Sequence, residues 1–366
     1  MKRRFIWKVV LLFSLVLVKQ AEGFAMTKYA SDDQKYHVVF GESYHNYLPG
    51  SLIRLDVVFK NRCAEGLKVN QELIVKEKSG ARVWKTMINL ELTPNGISTI
   101  PLMIPAPKVS GVFILTPGDS AGLAADSGSS FRFNVIQPKK SSRLTKILVF
   151  SPDYEEDINA FLKTWGIKAP MVSWGQVLLC GKESWTRYKA DDPEIVQLIK
   201  RSLKREMSVI FLDFGSLAIK KDSQKKWVMP FDVTVSLINA RSAEKSFTLK
   251  PELKELNYGF TSGLMNEWNG LNGVTVPAED LRFEGKEMKI NAYATSGGNS
   301  IRFPVVELIP LHGKGKLYIS QVITEGRIDE KVKPVRNKPE LPVYDPMAVQ
   351  FLLNLISATV GDNLLK

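Results

Sequence analysis

The stretch from Lys146 to Ser216 leaves this chain few folds to choose from. Lys146–Ser151 (KILVFS), Val177–Gly181 (VLLCG) and Ser208–Phe214 (SVIFLDF) are short runs, apolar on both faces. That is the pattern of strands covered by helices on either side of a parallel sheet. Two segments of helical spacing separate them. Ile158, Phe161, Leu162 and Trp165 form one stripe; Ile195, Leu198, Ile199 and Leu203 form the other. Ser151-Pro152 and Asp192-Pro193 each set an oxygen-bearing cap before a proline, at a position where the missing N–H costs no helical bond. Gly166 ends the first helix, and Lys200, Arg201, Lys204 and Arg205 suit the negative end of the second. Strand, helix, strand, helix, strand is the order of a doubly wound α/β domain, which we place over residues 146–366.

A chain of 366 residues has room for a second domain. From Thr27 to Gln137 the period is two. Ile53, Leu55, Val57 and Phe59 alternate with Arg54, Asp56 and Lys60; Leu73 and Val75 alternate with Glu72 and Lys76. Trp84, Thr86, Ile88, Leu90 and Leu92 continue the pattern beyond the turn Lys78-Ser79-Gly80, and runs follow at Ile97–Ile104, Gly111–Leu115 and Phe131–Ile136. This spacing predicts an immunoglobulin-like β-sandwich over residues 24–137, of the kind without an inter-sheet disulfide. Residues 138–145 form a short linker. Downstream, Gly273–Val276 reads as a strand, and Pro304–Ile309 with Lys316–Ile323 reads as a hairpin about Gly313-Lys314-Gly315. Asp345-Pro346 opens a last helix whose buried stripe is Val349, Leu352, Leu353 and Ile356, closed by Gly361.

Lys2, Arg3 and Arg4 precede the apolar run Val9–Val18 and the small residues Ala21 and Gly23. This is the pattern of a secretory signal peptide over residues 1–23. Its apolar run is shorter than the roughly 20 residues a spanning helix needs. The mature protein is therefore expected outside the cytoplasm, periplasmic or extracellular, with no transmembrane helix. The formal charge of +12 is carried in part by the signal, and the remaining lysines are scattered. No basic stripe with interleaved aromatics marks a nucleic-acid reader. Cys63 and Cys180 fall in different domains and read as free thiols.

In an open α/β sheet, ligands sit beyond the carboxyl ends of the strands. After the first strand come Asp153, Glu155, Glu156 and Asp157, which repel an anion where a nucleotide-binding domain would place glycines. Neither Cys180, with Leu178 before it, nor Ser216, with Phe214 before it, has the small neighbours of a nucleophile elbow. The three histidines (His37, His45, His312) and two cysteines show no metal spacing, so no cofactor is expected. A carboxylate pair for glycoside hydrolysis remains open among Asp213, Glu325, Glu267 and Glu307. Trp174, Trp185, Trp227 and Trp268 lie outside the clear elements. Loop tryptophans beside Asn or Gly suit stacking on sugar faces, and Asn266-Glu267-Trp268-Asn269-Gly270 has that character. The alternative is that these rings plug a domain interface or cap the sheet.

Three further segments carry a resemblance. Phe260-Thr261-Ser262-Gly263-Leu264 followed by Trp268, Gly313-Lys314-Gly315-Lys316 followed by Ser320-Gln321-Val322, Thr324 and Gly326-Arg327, and Asp345-Pro346 with Leu353-Asn354-Leu355 resemble stretches of large secreted glycoside hydrolases of the β-galactosidase clan. There they belong to a non-catalytic, degenerate class I glutamine amidotransferase-like (flavodoxin-like) domain, often preceded by an immunoglobulin-like one. The (β/α)₈ barrel holding that family's catalytic carboxylates has no counterpart here. The resemblance implies an exported, non-catalytic accessory protein of glycan handling, binding carbohydrate or a partner glycoside hydrolase. Trp174, Trp185, Asn266, Trp268, Asn269, Gln321 and Arg327 are the candidate ligand-binding residues. The rivals are a hydrolase with a carboxylate pair at the strand edge, and a structural envelope protein.

Overall fold

A computed structural model describes residues 35–359 apart from 42–43, 119–129, 170–174, 215–225, 230–232, 241–244, 251–253, 261–263, 267, 277–278, 285–287, 293, 296–303, 311–314, 333–337 and 339. The segment 1–23 expected to be a signal, Trp174, Ser216, Glu267, His312, Gly313-Lys314 of the expected turn and Gly361 lie outside the described residues.

Period-two alternation in the first third builds β1 (Tyr36–Gly41), β2 (Asn46–Tyr47), β3 (Leu52–Asn61), β4 (Leu67–Glu77), β5 (Arg82–Leu92), β6 (Ile97–Pro105), β7 (Gly111–Pro117) and β8 (Phe131–Val135). They make two sheets, ordered β1-β3-β6 and β2-β8-β7-β4-β5, antiparallel throughout except for the parallel pair β2–β8. The inward residues of both sheets, among them Val38, Ile53, Val57, Phe59, Leu73, Val75, Phe113 and Phe133, share one core. Alternation along each strand puts one face into that core and leaves the other to solvent. The buried Tyr36 hydroxyl is satisfied by Gln71 Oε1 at 2.7 Å.

The remainder is mixed α and β. Its elements are β9 (Val149–Phe150), α1 (Glu156–Thr164), β10 (Val177–Cys180), α2 (Lys182–Lys189), α3 (Pro193–Lys204), β11 (Ser208–Phe211), β12 (Lys226–Met229), β13 (Val233–Ala240), β14 (Ser246–Leu249), β15 (Leu264–Asn266), β16 (Glu279–Glu284), β17 (Met288–Ala292), β18 (Ala294–Thr295), β19 (Val305–Pro310), β20 (Lys316–Ser320) and α4 (Pro346–Thr359). A six-stranded sheet runs β17-β19-β20-β11-β10-β9, with β20, β11, β10 and β9 parallel and β19 and β17 added antiparallel. The β19–β20 pairing, Val305 opposite Ser320 onward, is the hairpin expected from the sequence. Two three-stranded sheets, β12-β13-β16 and β15-β14-β18, complete the part. One face of the large sheet packs against α1 and α4, the other against α2 and α3.

Four details depart from the sequence reading. Helix α1 starts at Glu156, not at Pro152, because the Pro152 carbonyl closes a turn by accepting from Glu155 N at 3.0 Å and Asn159 Nδ2 at 3.0 Å. Trp185 lies in a helix, α2, not in a loop, and Trp227 lies in strand β12. Leu271–Gly273 is a 3₁₀ turn where a strand was expected from Gly273. Helix α4 has no single buried stripe: all of its residues but Ala358 are buried, so it is a central helix. Its cap is as expected, with Asp345 Oδ1 accepting from Met347 N at 2.7 Å and Ala348 N at 3.3 Å. The linker is tied to this helix. Lys139 exchanges two hydrogen bonds with the Gln350 amide, at 2.7 and 3.1 Å.

Candidate functional site

The carboxyl ends of β10, β11 and β20 form the edge where a ligand would sit in such a sheet. Beyond β10, Cys180 is buried, and burial, with Glu155 nearby, pushes its thiol far up from the ordinary range. A sealed neutral thiol is a poor nucleophile. Glu155 reaches across from the connection after β9. Its Oε1 accepts from Ser184 N at 2.6 Å and from the Ser184 hydroxyl, so it caps the start of α2. Burial raises its pKa, and the Ser184 bonds oppose the rise. A methyl group on Gly181 would collide with this carboxylate, which explains glycine at that position. The Arg187 guanidinium lies 4.1 Å from the centre of the Tyr154 ring, and burial pushes the Tyr154 phenol up to about 12.

Beyond β11, Asp213 adopts a left-handed backbone with φ 54°, which Asp tolerates better than most residues. Its carboxylate accepts from the Thr324 N–H, from Thr324 Oγ1 at 2.9 Å and from Glu325 N at 3.1 Å. Burial lifts its pKa to about 6 against those bonds. The Glu325 side chain turns away to Lys182, 3.1 Å distant. The two carboxylates proposed as a pair are thus neighbours through the backbone, but each already has its own partners. Glu307 is buried on β19, held by Tyr318 Oη at 2.7 Å and Lys316 Nζ at 3.0 Å.

Beyond β20 the chain passes through Gln321, whose N–H donates to Pro304 O at 2.7 Å, to Arg327. Arg327 is wholly buried. It donates through Nε to Asn269 O at 2.8 Å, through Nη2 to Gly270 O at 2.8 Å and through Nη1 to Ile323 O at 3.2 Å. Burial pulls its pKa down to about 10, with Asp345 and Asp213 acting in the opposite direction. Trp268 is also fully buried, with ring centroids 5.8 Å from Phe247 and 5.7 Å from Phe351. Asn269 Oδ1 accepts from His45 N at 2.8 Å and Asn46 N at 2.9 Å, and its Nδ2 donates to Asn46 O at 2.6 Å. Asp345 Oδ2 receives the Asn269 N–H and, at 2.9 Å, Asn46 Nδ2. One polar network therefore joins β2 of the sandwich to the start of α4.

The structure brings Trp268, Asn269 and Arg327 together, but as a buried joint. None of the three has an exposed face: the Trp268 ring packs on Phe247 and Phe351, and the polar groups of Asn269 and Arg327 bond within the joint. Trp185 is separate. It packs on the opposite face of the sheet, 4.2 Å from Phe214, and is buried too. Asn266 falls in β15. Sequence reasoning missed Asn46, which has no local signal, and Glu155, which reads as one more acidic residue near a helix start. Among the described residues no group of His, Cys, Asp or Glu converges as a metal site, Cys63 and Cys180 are free thiols, and no helix is long and apolar enough to cross a membrane.

No protein-family model and no curated protein matches the chain. Solved structures give partial likenesses. A β-glucosidase from Listeria innocua in complex with glucose is 13% identical, over 29% of this chain and 17% of that one, with a TM-score of 0.23. A CARDB domain from Pyrococcus furiosus is 13% identical over 31% of this chain and 97% of its own, with a TM-score of 0.24. An alkylpurine DNA glycosylase from Pseudomonas fluorescens is 12% identical over 28% of this chain and 30% of its own, with a TM-score of 0.22. The chain spans under a fifth of the β-glucosidase, and likenesses this partial decide nothing about function.

Proposed function

We propose that this chain is an exported, non-catalytic accessory protein of glycan handling, an immunoglobulin-like sandwich joined to a degenerate amidotransferase-like domain, that acts by holding a partner glycoside hydrolase or a carbohydrate. One observation carries the non-catalytic part: at the strand edge Asp213 and Glu155 are buried and already hydrogen-bonded within the fold, and Cys180 is sealed. A general acid or nucleophile must be free to meet substrate. The glycan context and export rest on the sequence resemblance and the signal-like N-terminus. Burial of Trp185 and Trp268 favours a protein partner over sugar stacking on those rings.

The rival hydrolase reading has one point in its favour, the Asp213 pKa near 6, within reach of a general acid. A panel of aryl glycosides decides between them. The expected result is no turnover by the mature protein. Turnover that disappears in Asp213→Asn would establish the hydrolase instead.

A further inference from the structure

The two outer faces of the sandwich differ. On the five-stranded sheet, Lys68 pairs with Glu91 at 3.2 Å and Lys85 with Glu72 at 3.5 Å, so ion pairs interrupt the exposed Val83 and Met87. The three-stranded sheet is otherwise. Its outward positions are His37, Val39 and Gly41 on β1, Leu52, Arg54, Asp56, Val58 and Lys60 on β3, and Ile97, Thr99, Pro101, Met103 and Pro105 on β6. Leu52 is 48% exposed, Ile97 65% and Met103 62%. Large apolar side chains clustered on one open sheet face mark an interaction surface.

The β6 edge of this sheet resists a further strand. Pro101 pairs with Asp56 and Pro105 with Leu52, so on a regular ladder the residues of that parity turn their amide positions away from β3. Two of those five positions are prolines and donate nothing, a device that blocks strand addition. On the β6 side, a partner is better received at the face.

We propose that the partner is a second copy of this chain, related by a two-fold axis lying across the strands between the Arg54 and Asp56 rows. An isologous contact needs a self-complementary patch, and the register supplies one. Under that rotation β3 lies over β3 and β6 over β6. Arg54 of each copy meets Asp56 of the other, Met103 meets Pro101, and Leu52 meets Val58. Both ion pairs lie next to the axis, where the twist between stacked sheets displaces them least. A shift of the axis by half a row, onto either charge, would set Arg54 on Arg54 or Asp56 on Asp56. The overlapping rows, 52 to 58, measure about 24 Å by about 14 Å, on the order of 300 Å² per copy. That is below the size of a standard specific interface and points to weak association, at tens of micromolar.

Sedimentation of the full mature chain over about 0.1–100 μM tests this, since dimerisation follows mass action. The wild type is expected to pass from monomer to dimer within that range. Arg54→Glu and Asp56→Lys each set like charges opposite one another twice and should weaken the dimer about tenfold or more. The double variant Arg54→Glu/Asp56→Lys restores both pairs and should return to within about threefold of wild type. Met103→Glu, at an exposed position that leaves folding intact, should abolish the dimer. A wild type that stays monomeric throughout overturns the proposal. So does a double variant no stronger than the single ones, or single variants that dimerise like wild type.

Discussion

Asp213→Asn isolates what the strand-edge carboxylate does for the fold. Asn keeps the side-chain shape and tolerates φ 54°, so the backbone at this position stays unstrained. Its amide oxygen still accepts from the Thr324 and Glu325 N–H groups, and the Thr324 hydroxyl rotates to accept from the new amide. What disappears is the titration. Burial, aided by the Glu325 charge, raises the Asp213 pKa from 3.8 to about 6, while the bonds from Thr324 and Glu325 hold it from going higher. The folded state therefore binds this proton more tightly than the unfolded chain. The stability contributed by the protonated form is fully present below the unfolded pKa and is lost as pH rises through about 6. A shift of this size corresponds to roughly 3 kcal/mol, at about 1.4 kcal/mol per pH unit. Urea unfolding of both proteins at about pH 3.5, about pH 5 and about pH 7 reads the effect as a difference, which cancels the titration of distant groups. The variant should gain on wild type by roughly 3 kcal/mol between the two ends of that range. A difference that stays constant from end to end would refute the assignment of the titration to Asp213.

Asn269→Ala removes the side chain that bonds the His45 and Asn46 N–H groups and the Asn46 carbonyl. It should cost about 2–4 kcal/mol in denaturant unfolding and open the joint between the two parts to limited proteolysis. Trp268→Ala should lower stability by about 3–5 kcal/mol, as expected for a buried ring among Phe247 and Phe351. Changes in sugar affinity without a change in stability would show the ring to be accessible after all. In a thiol-labelling time course, the partly exposed Cys63 should react in the native state and Cys180 only after unfolding, since the latter is sealed and its thiol is held protonated.

The elements that could be read from the sequence are those whose signal is local. Helix α3 was legible because Asp192 caps it, accepting from Glu194 N at 3.0 Å, and Ile195 and Ile199 lie on one face. Helix α2 was not, because in eight residues it buries only Ser184 and Trp185 and shows no apolar repeat. Its cap comes from Glu155, 29 residues earlier. The start of α1 was misplaced for a related reason: a proline after a serine serves a turn as readily as a first helical turn. Asp345 was readable as a cap, but its second oxygen bonds Asn46, 299 residues away, and nothing near either residue announces the other. Trp268 and Arg327 were singled out for their chemistry. Only their burial shows that the chemistry is directed inward.

Asp345 caps α4 with one oxygen and receives Asn46 from the sandwich with the other. The two parts are consequently not interchangeable cassettes. A graft that gave the helical part a foreign sandwich would have to bring along an asparagine at the place of Asn46, or strand half of a carboxylate in a dry joint. Lineages that shuffle such modules would be expected to carry this pair of residues together or to lose both.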